Sequence, residues 1–459
     1  MKLRQVKFRW AIFLLLLTFI QNEAQPLLTR DNLFDFDWRF HRGGADGAEK
    51  PDFDDRNWRK LDLPHDYSIE GLEGTESPFN IDAISQGSGG FTTGGTGWYR
   101  KTFFVPLEFK QKHFYIMFEG VYMNAEIWLN GKLIGRHPYG YSSFWFDVTK
   151  EMNIGHENIL SVKVMNEGEN SRWYTGSGIY RHVWLTVVSP IHIVPWGICV
   201  TTPKVSDKEA TINIKTTVIN CGDEHSTIKL NTKIININTS ELLDIESEEI
   251  VNSGTSTEIT QDIKIHNPAL WSVDSPSLYK AVSEISKDGI LLDRVATQFG
   301  IRSISYNAVN GFLLNNKTIL LKGGSVHHDN GPLGSVAYDR AEERRVELLK
   351  ASGFNAVRTA HNPPSSAFLH ACNRLGMLVI DEAFDMWMNQ KKAHDYHLFF
   401  KDWWKKDIEN MVLRDRNHPS IIMWSIGNEI PHRGREEVDN MAKILTDYIR
   451  ALDPTRPIT

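Results

Sequence analysis

Apolar and polar positions alternate in short runs from about Leu27 to Ser189. Phe114-Tyr115-Ile116-Met117-Phe118, Ala125-Glu126-Ile127-Trp128-Leu129 and Leu160-Ser161-Val162-Lys163-Val164 each place alternate side chains on one face, and Asn130-Gly131 is the pair that a two-residue hairpin turn favours. This pattern predicts an antiparallel β-sandwich over residues 27–189, long enough for a jelly roll. Over residues 190–304 the alternation continues with fewer aromatics and more Thr, Asn and Ser, as in Ala210-Thr211-Ile212-Asn213-Ile214-Lys215. Length and strand spacing there fit an immunoglobulin-like sandwich.

From residue 305 the period changes. Thr318 to Gly323 reads as a buried strand, Ala341 to Ser352 as a helix closed by Gly353, and Phe354 to Arg358 as a second strand. The helix Ser365 to Leu375 gathers Ala367, Phe368, Ala371, Cys372 and Leu375 on one face and stops at Gly376. A strand at Met377 to Ile380, a helix at Asp402 to Arg414, a strand at Ile421 to Ile426 and a helix at Arg435 to Leu452 follow. Strand and helix alternating without hairpins imply a parallel sheet, so residues 305–459 are expected to form the N-terminal half of a (β/α)8 TIM barrel. A fifth strand is expected to begin at Pro457-Ile458-Thr459. The predicted fold class is therefore multidomain: jelly roll, immunoglobulin-like β-sandwich, then half a barrel.

Length, charge and composition add further constraints. A length of 459 residues exceeds what one core usually supports. Lys2, Arg4, Lys7 and Arg9 precede an uncharged apolar run from Trp10 to Ile20, the layout of a secretory signal peptide over residues 1–24. A membrane anchor is the alternative, but the run is well short of the ~20 residues that span a bilayer. The expected location is secreted or periplasmic, with no membrane partner after cleavage. Cleavage would move the formal charge from −6 to −9, since four cations and Glu23 leave together. Such an acidic chain has no electrostatic reason to bind nucleic acid. Cys199, Cys221 and Cys372 are too few for a disulfide framework or zinc site and read as buried free thiols, with a Cys199 to Cys221 bridge as the alternative.

Reactive groups of a parallel barrel belong at the carboxyl ends of its strands. Those ends carry Ser325, His327, His328 and Asp329; then Arg358, His361 and Asn362; then Asp381, Glu382 and Asp385; then Asn428 and Glu429. Facing carboxyls suit glycoside chemistry, which needs an acid for the leaving oxygen and a carboxylate for the oxocarbenium-like centre. Glu429 is the candidate acid, and Trp424 nearby is expected to shelter it and raise its pKa. A metal hydrolase using His327, His328, His361, Asp381 and Glu382 stays open on spacing alone. No Gly-x-Ser-x-Gly elbow supports a serine triad. His370, on its helix, reads as a satisfied core group.

Two long motifs then narrow the choice. Asn355-Ala356-Val357-Arg358-Thr359-Ala360-His361-Asn362-Pro363, continuing to Val379-Ile380-Asp381-Glu382, resembles the first signature of glycoside hydrolase family 2, with Asn362 where many members have Tyr. Arg416-Asn417-His418-Pro419 through Trp424-Ser425-Ile426-Gly427-Asn428-Glu429 resembles the family's acid/base signature. Leu63-Pro64-His65-Asp66-Tyr67, Gly97-Trp98-Tyr99-Arg100 and Gly178-Ile179-Tyr180-Arg181 resemble its sugar-binding jelly roll, and Phe299-Gly300-Ile301-Arg302 its passage into the barrel. The resemblance implies a retaining exo-glycosidase, most similar to the β-galactosidases, with Glu429 as proton donor and Asn428 bonding the sugar 2-hydroxyl. It also implies Asp329 and His361 as hydroxyl contacts, Arg358 as the group orienting the nucleophile, and Arg172 as a substrate contact reaching from the jelly roll. The family's nucleophilic Glu lies on a later strand and has no counterpart here, so this chain alone is expected to be inactive. Phe384-Asp385-Met386-Trp387-Met388 departs from the magnesium-binding pattern of some members; no cofactor or metal is expected. The expected partner is a carbohydrate, with a homo-oligomer open for the full-length protein. β-Glucuronidase, β-mannosidase and a non-catalytic carbohydrate-binding protein are the alternatives.

Overall fold

The computed structural model describes residues 30–72 and 74–459, so the signal segment expected over residues 1–24 lies outside the described residues. Alternation in the first sandwich is realised as two packed sheets. One has the order Asp31–Leu33, Val183–Val188, His113–Phe118, Phe144–Asp147; the other runs Arg59–Leu61, Trp38–Arg42, Gly95–Phe104, Glu157–Asn166, Ala125–Leu129, Lys132–His137. Between them Trp38, Tyr99, Phe114, Phe118, Ile127 and Val162 form a closed core. Asn130 and Gly131 both take positive φ, 53° and 83°, which sets the tight turn joining Ala125–Leu129 to Lys132–His137.

The second sandwich packs a three-stranded sheet (Ile191–Val205, Glu209–Asn220, Thr255–His266) on a four-stranded one (Leu242–Val251, Ser226–Asn236, Tyr279–Lys287, Ile290–Phe299). Glu209–Asn220 buries every second residue, as its sequence alternation requires.

The last part alternates β1 (Gly323–Val326), α1 (Asp339–Ala351), β2 (Ala356–Thr359), α2 (Ser366–Leu375), β3 (Leu378–Glu382), α3 (His397–Asp415), β4 (Ile421–Ser425) and α4 (Glu436–Leu452). The four strands pair in parallel in that order. Ser365 caps α2 through the Phe368 N–H, and Gly376, at φ +70°, ends it. Past α4, Thr459 donates its N–H to the Trp424 carbonyl at 2.9 Å and Ile458 bridges Trp424 in parallel, so a fifth strand starts where the sequence places it.

One predicted strand is corrected. Thr318 to Gly323 is not a single buried element: Lys317–Thr318 pairs with Gly311–Leu314 in a small antiparallel sheet, Leu320 and Leu321 are exposed, and β1 begins only at Gly323. Backbone groups of the segment are taken by Gly311–Leu314, with the Ile319 N–H on the Phe312 carbonyl. Two smaller corrections concern single residues. All three cysteines are free, and Cys199 and Cys221 are half-buried where buried thiols were expected. His370 is exposed, its Nδ1 only 3.4 Å from Gln298 Oε1, and is not a satisfied core group.

The sandwiches grip opposite ends of the parallel sheet. The immunoglobulin-like unit and its exit hold the segments that precede the strands: Arg302 donates to the Pro419 and Ile421 carbonyls, and Trp271 Nε1 to the Asn373 carbonyl. The jelly roll instead holds loops that follow them. Asp66 accepts from Ser335, Arg181 donates to the Pro363 carbonyl, and the Tyr139 hydroxyl donates to the Ala383 carbonyl. On the helical side, fully buried Asp407 of α3 gathers His137, Ser142 and Tyr396. The carboxyl ends of β1–β4 are therefore flanked by the jelly roll.

Candidate active site

Period-two geometry decides what each strand end presents. On β3, Asp381 and Glu382 are adjacent and point to opposite sides. Glu382, fully buried, faces the mouth and accepts from Arg358 Nε at 2.8 Å, pairs with His361 Nδ1 at 2.6 Å and accepts from Ser425 Oγ at 2.6 Å. Asp381 faces the helices beside Asp415 and Arg414, and neither of its oxygens has a hydrogen-bond partner. Burial and then the negative Asp415 push its carboxyl well above the usual range.

Asn428 is locked at both ends of its amide. Its Oδ1 accepts from Arg358 at 3.0 Å, its Nδ2 donates to Asp385 at 2.8 Å, and its backbone N–H donates to the Phe384 carbonyl. Asp385, 2% exposed, also receives Lys391 Nζ at 2.8 Å and both Nε and Nη2 of Arg172. Burial pushes its pKa up, but the donors Arg172, Asn428 and Lys391 outweigh that and hold it below the ordinary carboxylate value. Lys391 reaches the Asn428 carbonyl as well, at 2.7 Å, and burial lowers its own pKa.

Glu429 stands on this platform with φ +43° and a side chain 68% exposed. Here the structure corrects the expected environment. Trp424 does not shelter it, because that ring faces α4 and donates to Asp453. The hydrogen bond from Arg172 Nη1, 3.0 Å long, holds Glu429 below the ordinary carboxylate value, the reverse of the expected rise. Arg172 arrives from the jelly roll as the sequence suggested and bridges Asp385 to Glu429.

Arg172, Arg358, His361, Asn428 and Glu429 thus belong to one connected cluster. Asp329 does not join it by hydrogen bonds: its backbone carbonyl accepts from Arg345, while its carboxylate acts electrostatically on His327. His327 packs at 5.1 Å against Trp173 with the rings tilted by 49°, and the Trp173 ring also lies 5.5 Å from His361. His328 is a packing group, its Nε2 on the Thr175 carbonyl and its pKa pushed down to about 3 by burial. Among the described residues no three His, Cys, Asp or Glu side chains converge as metal ligands: of His327, His328, His361, Asp381 and Glu382, only His361 and Glu382 bond each other, while His328 is spent on the Thr175 carbonyl. Lys391 and Ser425 are members that sequence reasoning missed. Ser425 could have been found from its inward parity two residues after Met423, whereas nothing in the sequence singles out Lys391.

A jelly roll, an immunoglobulin-like sandwich and a parallel α/β unit with a carboxylate and amide cluster at its strand ends define a class of modular carbohydrate-active enzymes. Family models described as glycosyl hydrolases family 2, sugar binding domain, glycosyl hydrolases family 2, and glycosyl hydrolases family 2, TIM barrel domain, match residues 78–189, 192–302 and 308–459 in turn. The chain belongs to glycosyl hydrolase family 2. It is 40% identical to beta-galactosidase BoGH2A of Bacteroides ovatus, over 93% of this chain and 53% of that protein. It is 35% identical to a putative beta-glucuronidase of Formosa agariphila, over 96% of this chain and 40% of that protein. Among solved structures, a family 2 member from Bacteroides cellulosilyticus superposes with a TM-score of 0.92 at 47% identity, covering 94% of this chain and 56% of that one. The chain spans about half the length of the curated relatives it matches.

Proposed function

We propose that the protein containing these residues is a retaining exo-glycosidase that removes terminal β-D-galactosyl units from oligo- or polysaccharides. The observation that carries this reading is the fixed amide of Asn428, held by Arg358 on one side and Asp385 on the other, directly before a carboxyl at a strand-end mouth. An amide clamped in this way is preorganised to bond a sugar 2-hydroxyl, and such a bond tightens as positive charge grows at the anomeric carbon. Glu429 then gives its proton to the departing glycosidic oxygen and later takes one from water. His361 and Asp329 serve as hydroxyl contacts and Arg358 orients the nucleophilic carboxylate.

Arg172 keeps Glu429 ionised in the free protein, which is the form needed for the base half of the cycle. For the acid half, the incoming sugar displaces the guanidinium and Glu429 takes up a proton. Glu382 is unsuited to be the nucleophile, since three protein donors already occupy its oxygens. We place that carboxylate outside these 459 residues, ~5 Å from Glu429 in the assembled site. A galactosyl preference is supported by the name of the Bacteroides ovatus relative, while several others are named beta-glucuronidases. We also place the protein outside the cytoplasm, secreted or periplasmic, on the layout of residues 1–24.

The test is a panel of nitrophenyl β-glycosides with the complete enzyme, a polypeptide of residues 30–459, and Glu429→Gln. The complete enzyme prefers the galactoside with β-configured product, residues 30–459 alone give no turnover, and Glu429→Gln loses roughly 10²–10⁴-fold in kcat/KM. Full activity in Glu429→Gln sinks the assignment.

A further inference from the structure

Lys391 stands in the loop between β3 and α3, and that loop is fixed before the ammonium meets anything. Buried Asp395 uses one oxygen to accept from the backbone N–H groups of Lys391 and Lys392, at 2.8 and 2.6 Å, and the other to bond the N–H and ring Nδ1 of His397 at the start of α3. The loop is also tied to the jelly-roll segment that carries Arg172: Lys392 Nζ donates to Glu169 Oε1, and the His394 N–H donates to the Glu169 carbonyl. From this frame the Lys391 side chain, 8% exposed, reaches Asp385 Oδ1 at 2.8 Å and the Asn428 carbonyl at 2.7 Å. That carbonyl belongs to the peptide unit leading into Glu429. Among the described residues no backbone N–H bonds it, so Lys391 is the group that fixes this peptide plane. The plane matters because Glu429 has φ +43°, a left-handed conformation that a residue with a side chain keeps only where its surroundings hold it. The Asn428 amide does not depend on Lys391 in the same way, since Arg358 and Asp385 hold its two ends.

We infer that Lys391 is a positioning residue for proton transfer: it touches neither the sugar nor the departing oxygen, and it aims the Glu429 carboxyl by pinning the peptide before it. The inference rests on the hydrolase reading above. In the free protein Arg172 bonds the Glu429 carboxylate as well; once a sugar displaces that guanidinium, the hold on the backbone remains. A charge-assisted hydrogen bond holds a carbonyl more firmly than a neutral donor does, and a reacting group misplaced by about 1 Å can lose about 10²-fold in rate. The loss falls on the steps that move a proton. A basic alkoxide departs only with a proton, whereas a dinitrophenolate departs without one; the water that later releases the sugar needs the same carboxyl as its base.

The experiment compares the complete enzyme with Lys391→Met, Lys391→Gln and Glu429→Gln on the methyl and dinitrophenyl β-glycosides of the sugar that the panel above selects. Lys391→Met loses about thirtyfold in kcat/KM on the methyl glycoside and less than about threefold on the dinitrophenyl one, where kcat and KM fall together. Lys391→Gln, whose amide is too short to reach as far, gives the same ratio between the two substrates. That ratio does not depend on what fraction of either variant folds. Equal losses on both substrates, or no loss, while Glu429→Gln discriminates between them, overturns the role of Lys391. Cleavage of both substrates by Glu429→Gln at the parent's rate sinks the hydrolase reading instead.

Discussion

The mouth of the parallel sheet and the seams between domains both concentrate charge, but they use it differently. In the seams, charged groups are saturated and out of solvent, as where Asp407 receives His137, Ser142 and Tyr396. At the mouth the groups are also paired, yet the last of them, Glu429, is open to solvent and is hydrogen-bonded, among the described residues, by Arg172. The contrast teaches that a buried network fixes how domains sit, whereas a partly hydrated one can exchange a protein partner for a substrate.

Breaking a seam is expected to have the largest effect. Asp407→Ala strands His137 and Tyr396 in a dry interface and should cost about 3–5 kcal/mol of stability, read as a lowered denaturation midpoint. If the midpoint does not move, the seam does not carry the load assigned to it. Asp385→Asn attacks the mouth instead. It weakens the hold on Arg172, Asn428 and Lys391 together and should cost roughly tenfold to a hundredfold in kcat/KM, with less than about 1.5 kcal/mol of stability lost. A stability loss as large as that of Asp407→Ala would erase the distinction.

A third test uses pH. His182 joins Asp35 of the jelly roll to Asp339 of α1; burial opposes its charge, but hydrogen bonds to Asp339 and Asp35 win and raise its pKa from 6.5 to about 10. Because the folded value is the higher one, this seam's contribution is complete below about pH 6.5 and is lost as pH rises toward 10. Unfolding free energy of the parent should fall across that window more steeply than that of Asp339→Asn; matching slopes would contradict it. The smallest effect belongs to Arg172→Met. Removing the guanidinium lets the Glu429 pKa rise, so the basic limb of the kcat/KM profile moves to higher pH, alongside a lower rate. A limb that stays in place separates Arg172 from the role proposed for Glu429.

The fold was almost wholly legible, because alternation and helical periodicity survive in local sequence. The miss at Thr318 to Gly323 has a physical origin: an apolar run predicts burial, but pairing with Gly311–Leu314 depends on a turn that hydropathy does not encode. The site was legible as a set of strand-end residues and illegible as electrostatics. Strand parity separates Glu382 from Asp381 once the strand is fixed to end at Glu382. The ionisation of Glu429 depends on Arg172, 257 residues away in sequence, which no local reading weighs. Lys391 escaped for the same reason, since its importance comes from a loop geometry that places one ammonium on two mouth residues.

The bridge made by Arg172 also has a consequence for assembly. Its cation comes from one sandwich and its two acids from loops of another unit, so neither part expressed separately can reproduce the charge balance around Glu429. Transplanting the jelly roll of one family member onto the sheet of another would therefore change the charge around Glu429 without touching a strand, and chimeras are a direct route to testing the role proposed for it.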